Sequence, residues 1–101
     1  TREGHTLYDF AQLTMEVIAH ILSRQIGTVE EYKQKLVARE LPLLEDINQA
    51  AAQFLFDASD ESEFLYAQIM SCIGALKFEN LSDHAKHCLY ITAAVLIEKL
   101  T

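Results

Sequence analysis

Turn-forming residues are scarce in this sequence: one proline and three glycines among 101 residues. A β sandwich or barrel of this length needs about six or seven turns, so an all-β fold is excluded. The glycines, Gly4, Gly27 and Gly74, are isolated, so no loop has the paired glycines that cradle a phosphate. No Gly-x-Ser-x-Gly element or zincin motif occurs, and no Glu-x-x-His pair recurs on two helices as in di-iron bundles. Positive charge is also short. Eight Lys and Arg face fifteen Asp and Glu, for a net charge of −7. Nucleic-acid affinity comes largely from Lys and Arg on phosphates, so nucleic acid is not an expected partner, and neither is an anionic membrane surface. Long hydrophobic runs are missing as well. The longest extends from Cys88 to Ile97 and is broken by Thr92, well short of the ~18 apolar residues of a membrane span. Only two cysteines occur, Cys72 and Cys88, each among apolar neighbours. That is the usage of reduced, buried thiols in a cytoplasmic protein and not of a disulfide framework. The first residue is Thr and no signal-peptide pattern is visible, as expected of a chain trimmed from a longer one.

What is present is helical. Half of the residues are apolar, enough for one modest core and one domain. Leu7, Phe10, Ala11, Thr14, Val17, Ile18, Ile21 and Leu22 recur at helical spacing. This predicts a first helix from about Leu7 to Ile26, capped by Thr6 and stopped by a left-handed Gly27, with residues 1–5 as a flexible lead-in. Thr28 caps the next segment, with Glu31 at the reciprocal box position. Tyr32, Leu36, Leu43, Ile47, Ala51, Phe54 and Ala58 then keep one phase through Pro42. Two readings follow: one long helix kinked at Pro42, or two helices with the second starting there. The unbroken phase and the poor caps Glu40 and Leu41 favour the kink. Asp60 and Glu63 predict a third box, opening a helix through Phe64, Leu65, Ile69, Cys72, Ile73 and Leu76 that stops near Asn80. Ser82 caps the last helix, about Asp83 to Leu100. Short loops make consecutive helices antiparallel. The expected fold is all-α, an up-down bundle of four helices, or five if Pro42 splits the second.

Two helices carry more apolar surface than one buried stripe requires. The first adds Leu13 and Met15, and the last is apolar on nearly every side between Cys88 and Ile97. Such a helix has to be enclosed. A homodimer packing the last helix against its symmetry mate does this, with Cys88, Ile91, Val95 and Leu96 as the expected contact residues. A monomer with that helix at its centre is the other solution.

Few clusters carry chemistry. His84, His87 and Cys88 follow one another on the last helix, and equal counting outward from the turn sets Cys72 level with Cys88. Thiolate and imidazole are the ligands zinc prefers, so these four are the candidate metal residues, and zinc is the only cofactor the sequence suggests. Against this, the close Cys pairs of structural zinc sites are missing, and buried Cys is common as a small hydrophobe. Glu16 and His20 stand four apart, a spacing open to acid–base work or to a surface pair beside Arg24. Asp57, Asp60, Glu61 and Glu63 lack the EF-hand spacing and read as helix-start charges. Glu40, Glu45 and Asp46 flank Pro42 as a solvated or partner-binding face. Lys33, Lys35 and Arg39 are balanced at helical spacing by Glu30, Glu31 and Glu40. Gly74, inside a helix, suggests close helix approach.

No catalytic constellation emerges. The sequence therefore predicts a small acidic interaction protein of bacterial or phage regulatory type. It would pair with itself and bind a protein partner, a basic one if charge selects it, in an immunity, antitoxin, anti-activator or adaptor role. A small-ligand or metal sensor and a small helical enzyme are the alternatives.

Overall fold

The computed structural model describes residues 2–53 and 62–100, with side chains from residue 7 onward. Every regular element among them is helical. α1 (Arg2–Val17) runs without a break into a π-helical turn, Ile18–Leu22, and a closing α turn, α2 (Ser23–Gln25). Then come α3 (Val29–Val37), α4 (Pro42–Ala52), α5 (Ser62–Ala75) and α6 (Asp83–Leu100). Counting α1 through α2 as one rod gives five helices. Asp57, Asp60 and Glu61, the expected cap of α5 at Asp60, and the stripe positions Phe54 and Ala58 lie outside the described residues.

The rod begins at Arg2 and not near Leu7, so Thr6 sits within it instead of capping it. Its buried stripe, Leu7, Ala11, Thr14, Met15, Val17, Ile18, Ala19, Leu22 and Ile26, departs from the expected one mainly at the π turn. There the Ser23 amide donates to the Ile18 carbonyl five residues back. The wider turn carries Ile21 out to solvent and Ala19 inward. The rod ends because Ile26 turns extended (φ −113, ψ 115). No glycine has a positive φ, so Gly27 and its expected left-handed stop play no part in ending it. Thr28 caps α3 as expected, its hydroxyl accepting from the Glu31 amide at 3.2 Å.

Pro42 splits the second segment and does not merely kink it. α3 closes with a Schellman motif: the Glu40 amide reaches back to the Lys35 carbonyl (2.9 Å) and the Arg39 amide to that of Leu36 (3.2 Å). Arg39 takes the left-handed conformation, φ 61, and Asn80, the expected stop of α5, does not. Leu41 is extended, and Pro42 is the first residue of α4, where its missing amide hydrogen costs nothing. The break also resets the apolar phase. Leu41, Leu44, Ile47 and Ala51 are buried, whereas Leu43, on the expected stripe, is exposed. Arg39 pairs with Glu45 across the break, its Nη2 donating at 3.0 Å.

α5 stops at Ala75, and its last carbonyls are taken by the amides of Leu76, Lys77 and Phe78 in a tight turn. Ser82 then caps α6, accepting from the Ala85 amide at 3.1 Å. The α5–α6 hairpin is the centre of the packing: α1 lies against α5, α3 and the π turn against α6, and α4 against α1. Helices adjacent in sequence are therefore not always adjacent in space, and the architecture departs from a simple up-down four-helix bundle.

Two substitutions follow. A Cβ at Gly74 meets nothing within 4 Å, so Gly74→Ala should stabilise the chain by about 0.5–1 kcal/mol. Arg39→Gly relieves the left-handed strain at the loss of an exposed ion pair, and should gain up to about 1 kcal/mol. Urea midpoints measure both, and a loss of stability in Gly74→Ala would restore the expected close approach at that position.

Candidate functional site

The buried polar groups fall into two connected sets. In the first, Tyr32 of α3 is wholly buried and its hydroxyl lies 2.5 Å from Thr92 Oγ1 on α6. The Thr92 hydroxyl itself donates to the Cys88 carbonyl at 2.8 Å, so Tyr32 is the donor of the pair. Cys72 and Cys88 are buried and free. Burial pushes the Cys72 thiol up to about 12 and raises that of Cys88. Tyr32 is raised mainly by burial; the Thr92 bond works the other way, and the two nearby thiols add to the rise. Burial thus disfavours the thiolate, the form that acts as nucleophile and metal ligand.

His84 brings no base to them. Its Nε2 lies 2.7 Å from the Ile26 carbonyl, which can only accept. Nε2 therefore carries the hydrogen, and the Cys88 sulfur 3.9 Å away faces an N–H and not a lone pair. His87 is exposed one step round the helix. Of the four candidate metal residues, Cys72 and Cys88 are in the core, His84 closes the end of the rod, and His87 faces out. Among the described residues no three His, Cys, Asp or Glu gather as a metal set. Glu16 and His20 are both exposed, His20 within the π turn itself.

In the second set, Gln68 of α5 is buried and spends both amide hydrogens, on Thr14 Oγ1 of α1 (3.1 Å) and Asn48 Oδ1 of α4 (3.2 Å). Thr14 donates to the Phe10 carbonyl at 2.9 Å. These groups floor a cavity of about 100 Å³ walled by Leu36, Leu44, Phe64, Leu65 and Leu96, with Arg39, Glu45 and Lys99 also lining it. No pattern of residues along the chain pointed to this cavity. Its polar members are spread over four helices and the turn before Pro42, and it exists because that break parts α3 from α4.

The surface carries a third feature. Inside the chain α6 is enclosed on its inner side only: Tyr90 is 60 % exposed and Ile97 45 %. Of the four expected contact residues, Cys88 and Leu96 belong to the chain's own core and Ile91 and Val95 are half-buried. On α5, Tyr66, Met70 and Ile73 stand exposed at i, i+4 and i+7, and on α6 so do Tyr90, Ala94 and Ile97. Tyr8 of α1 shares a shallow hollow with Tyr66.

No family model, curated protein or solved structure matches the chain. No helix among the described residues is long and apolar enough to cross a membrane.

The raised thiol has a pH consequence. Because folding raises Cys72 from 9.0 to about 12, the folded chain holds a proton that the unfolded chain releases. That stability is complete below 9.0 and is lost as pH climbs toward about 12. Urea midpoints should fall through this window, and Cys72→Ala should flatten the fall despite its lower stability at neutral pH. An unchanged slope in that variant would place the linkage elsewhere.

Proposed function

We propose that the chain is a non-catalytic regulatory interaction protein that pairs with a second copy of itself and offers an acidic helical surface to a protein partner. The observation that carries this reading is the outward face of the α5–α6 hairpin. Its middle turns, Tyr66, Met70, Ile73, Tyr90, Ala94 and Ile97, have no charge, on a chain whose net charge is −7. Charges return at its ends, with Glu63 on α5, Lys77 in the turn after it, and Asp83, Lys86 and Glu98 on α6. An apolar centre rich in Tyr and Met inside a charged rim is the anatomy of a protein interface. A two-fold axis across the helices sets Glu63 of one copy toward Lys77 of the other but also Asp83 toward Glu98, so the charged rim is mixed and the apolar centre carries the pairing. The remaining acidic surface, including Glu40, Glu45 and Asp46 around the α3–α4 break, is left for a basic partner. Immunity, antitoxin, anti-activator and adaptor roles of bacterial or phage type share this physics. Protonated thiols and a histidine held as a donor support the non-catalytic reading, and reduced buried cysteines fit the cytoplasm.

Light scattering and sedimentation over a concentration series test the pairing. The expected result is a dimer at micromolar concentration that tightens with added salt, because like-charged copies repel and salt screens them. Met70→Glu, at an exposed position, should leave the helix content intact and the chain monomeric. A wild-type mass that stays monomeric at about 100 μM, weaker than almost any working homodimer needs, overturns the proposal.

A further inference from the structure

We infer that the cavity between α3, α4, α5 and α6 is a binding site for a small carboxylic acid whose apolar body ends, opposite the carboxylate, in a hydrogen-bond donor. The two ends of the cavity differ in the hydrogen-bonding capacity they have left. At the floor only the Asn48 amide hydrogens are left to donate, and the donors of Thr14, Thr92 and Gln68 are spent. The Thr14 hydroxyl gives its hydrogen to the Phe10 carbonyl, and that of Thr92 goes to the Cys88 carbonyl. Both Gln68 amide hydrogens go to Thr14 and Asn48. What these groups still offer a guest is acceptor capacity: hydroxyl lone pairs and the Gln68 carbonyl oxygen.

The other end is the reverse. Arg39 uses Nε and one Nη2 hydrogen, both on the same Glu45 oxygen, so most of its guanidinium donors remain. Lys99 makes no ion pair among the described residues. Arg39 and Glu45 cancel, and the net charge these three residues give is the single positive charge of Lys99. A cationic, donor-rich end on a chain of net charge −7 is a local reversal of sign that selects for a carboxylate.

Between the two ends the walls are Leu36, Leu44, Phe64, Leu65 and Leu96, which take an apolar body and nothing else. Size limits that body. Apolar cavities of about 150 Å³ hold one benzene, so a space of about 100 Å³ admits a single ring only if one end projects out toward Arg39 and Lys99. A hydroxy-aromatic acid has this form: hydroxyl on the acceptor floor, ring against the leucines, carboxylate among the cations. This goes beyond the pairing reading, and the cavity lies away from the α5–α6 outer face.

The experiment titrates 4-hydroxybenzoate, benzoate and benzyl alcohol into the full chain, read by amide NMR shifts and calorimetry. A guest of this size should bind one per chain with a Kd on the order of 1 mM or tighter, with shifts at Leu44, Gln68 and Leu96. Benzoate, lacking the hydroxyl, should bind about fivefold more weakly, and benzyl alcohol more weakly again. Lys99→Gln, at an exposed position, should cost the two carboxylates about threefold to fivefold and leave benzyl alcohol unchanged. Leu36→Phe, which fills the cavity from a half-buried position, should remove all binding while the spectrum stays folded. Absence of shifts at about 10 mM 4-hydroxybenzoate, tenfold above the expected Kd, overturns the site. Equal binding of all three compounds, or shifts confined to Tyr66 and Tyr90, overturns it too.

Discussion

A proline has no amide hydrogen to give, and the arrangement of this molecule turns on where its single proline can sit. At the first position of α4 the missing donor is harmless, since the first amides of a helix have no partner in any case. Anywhere inside a helix the ring would meet the carbonyl four residues back. The chain therefore ends α3 before Pro42, and it does so without a glycine, by putting Arg39 in the left-handed region and closing a Schellman turn around it. Once parted, α3 lies along α6 and α4 along α1. Tyr32 then reaches Thr92, Gln68 reaches Asn48, and a space is left between them.

The helical class was legible because scarcity of turn residues and a sustained helical period agree. Caps were legible where a side chain makes them: Thr28 and Ser82 each accept the bond their spacing implied. Ends made by backbone geometry were not. Gly27 is the residue type for a left-handed stop, yet the rod ends by extension at Ile26, and the left-handed residue is an arginine, among the types least expected there. The phase through Pro42 misled for a related reason. Leu41, Leu43 and Leu44 are so closely spaced that either of two registers keeps a leucine inward, and only the break decides that Leu44 is buried and Leu43 is not.

At the level of sites, residue type located the polar core without saying what it does. The juxtaposition of Cys72, Cys88 and His84 could be counted from the hairpin. That Ile26 would offer its carbonyl to His84, and so fix which nitrogen holds the hydrogen, depends on where a separate helix ends. The surplus apolar surface of α6 was visible in the sequence, but its distribution was not. Cys88 and Leu96 went inward, and the exposed remainder, Tyr90 and Ile97, joined a stripe on α5 that no single-helix period shows.

The π turn at Ile18–Leu22 holds one residue more than an α turn would need. Deleting one residue there would give a smoother rod, with every carbonyl bonded four residues ahead. Keeping all of its residues in a regular α-helix would instead rotate everything downstream by about 100°, swinging the Ile26 carbonyl off the His84 ring. The irregularity thus acts as a spacer: it gives up local regularity so that the end of the first rod stays in register with the start of the last helix.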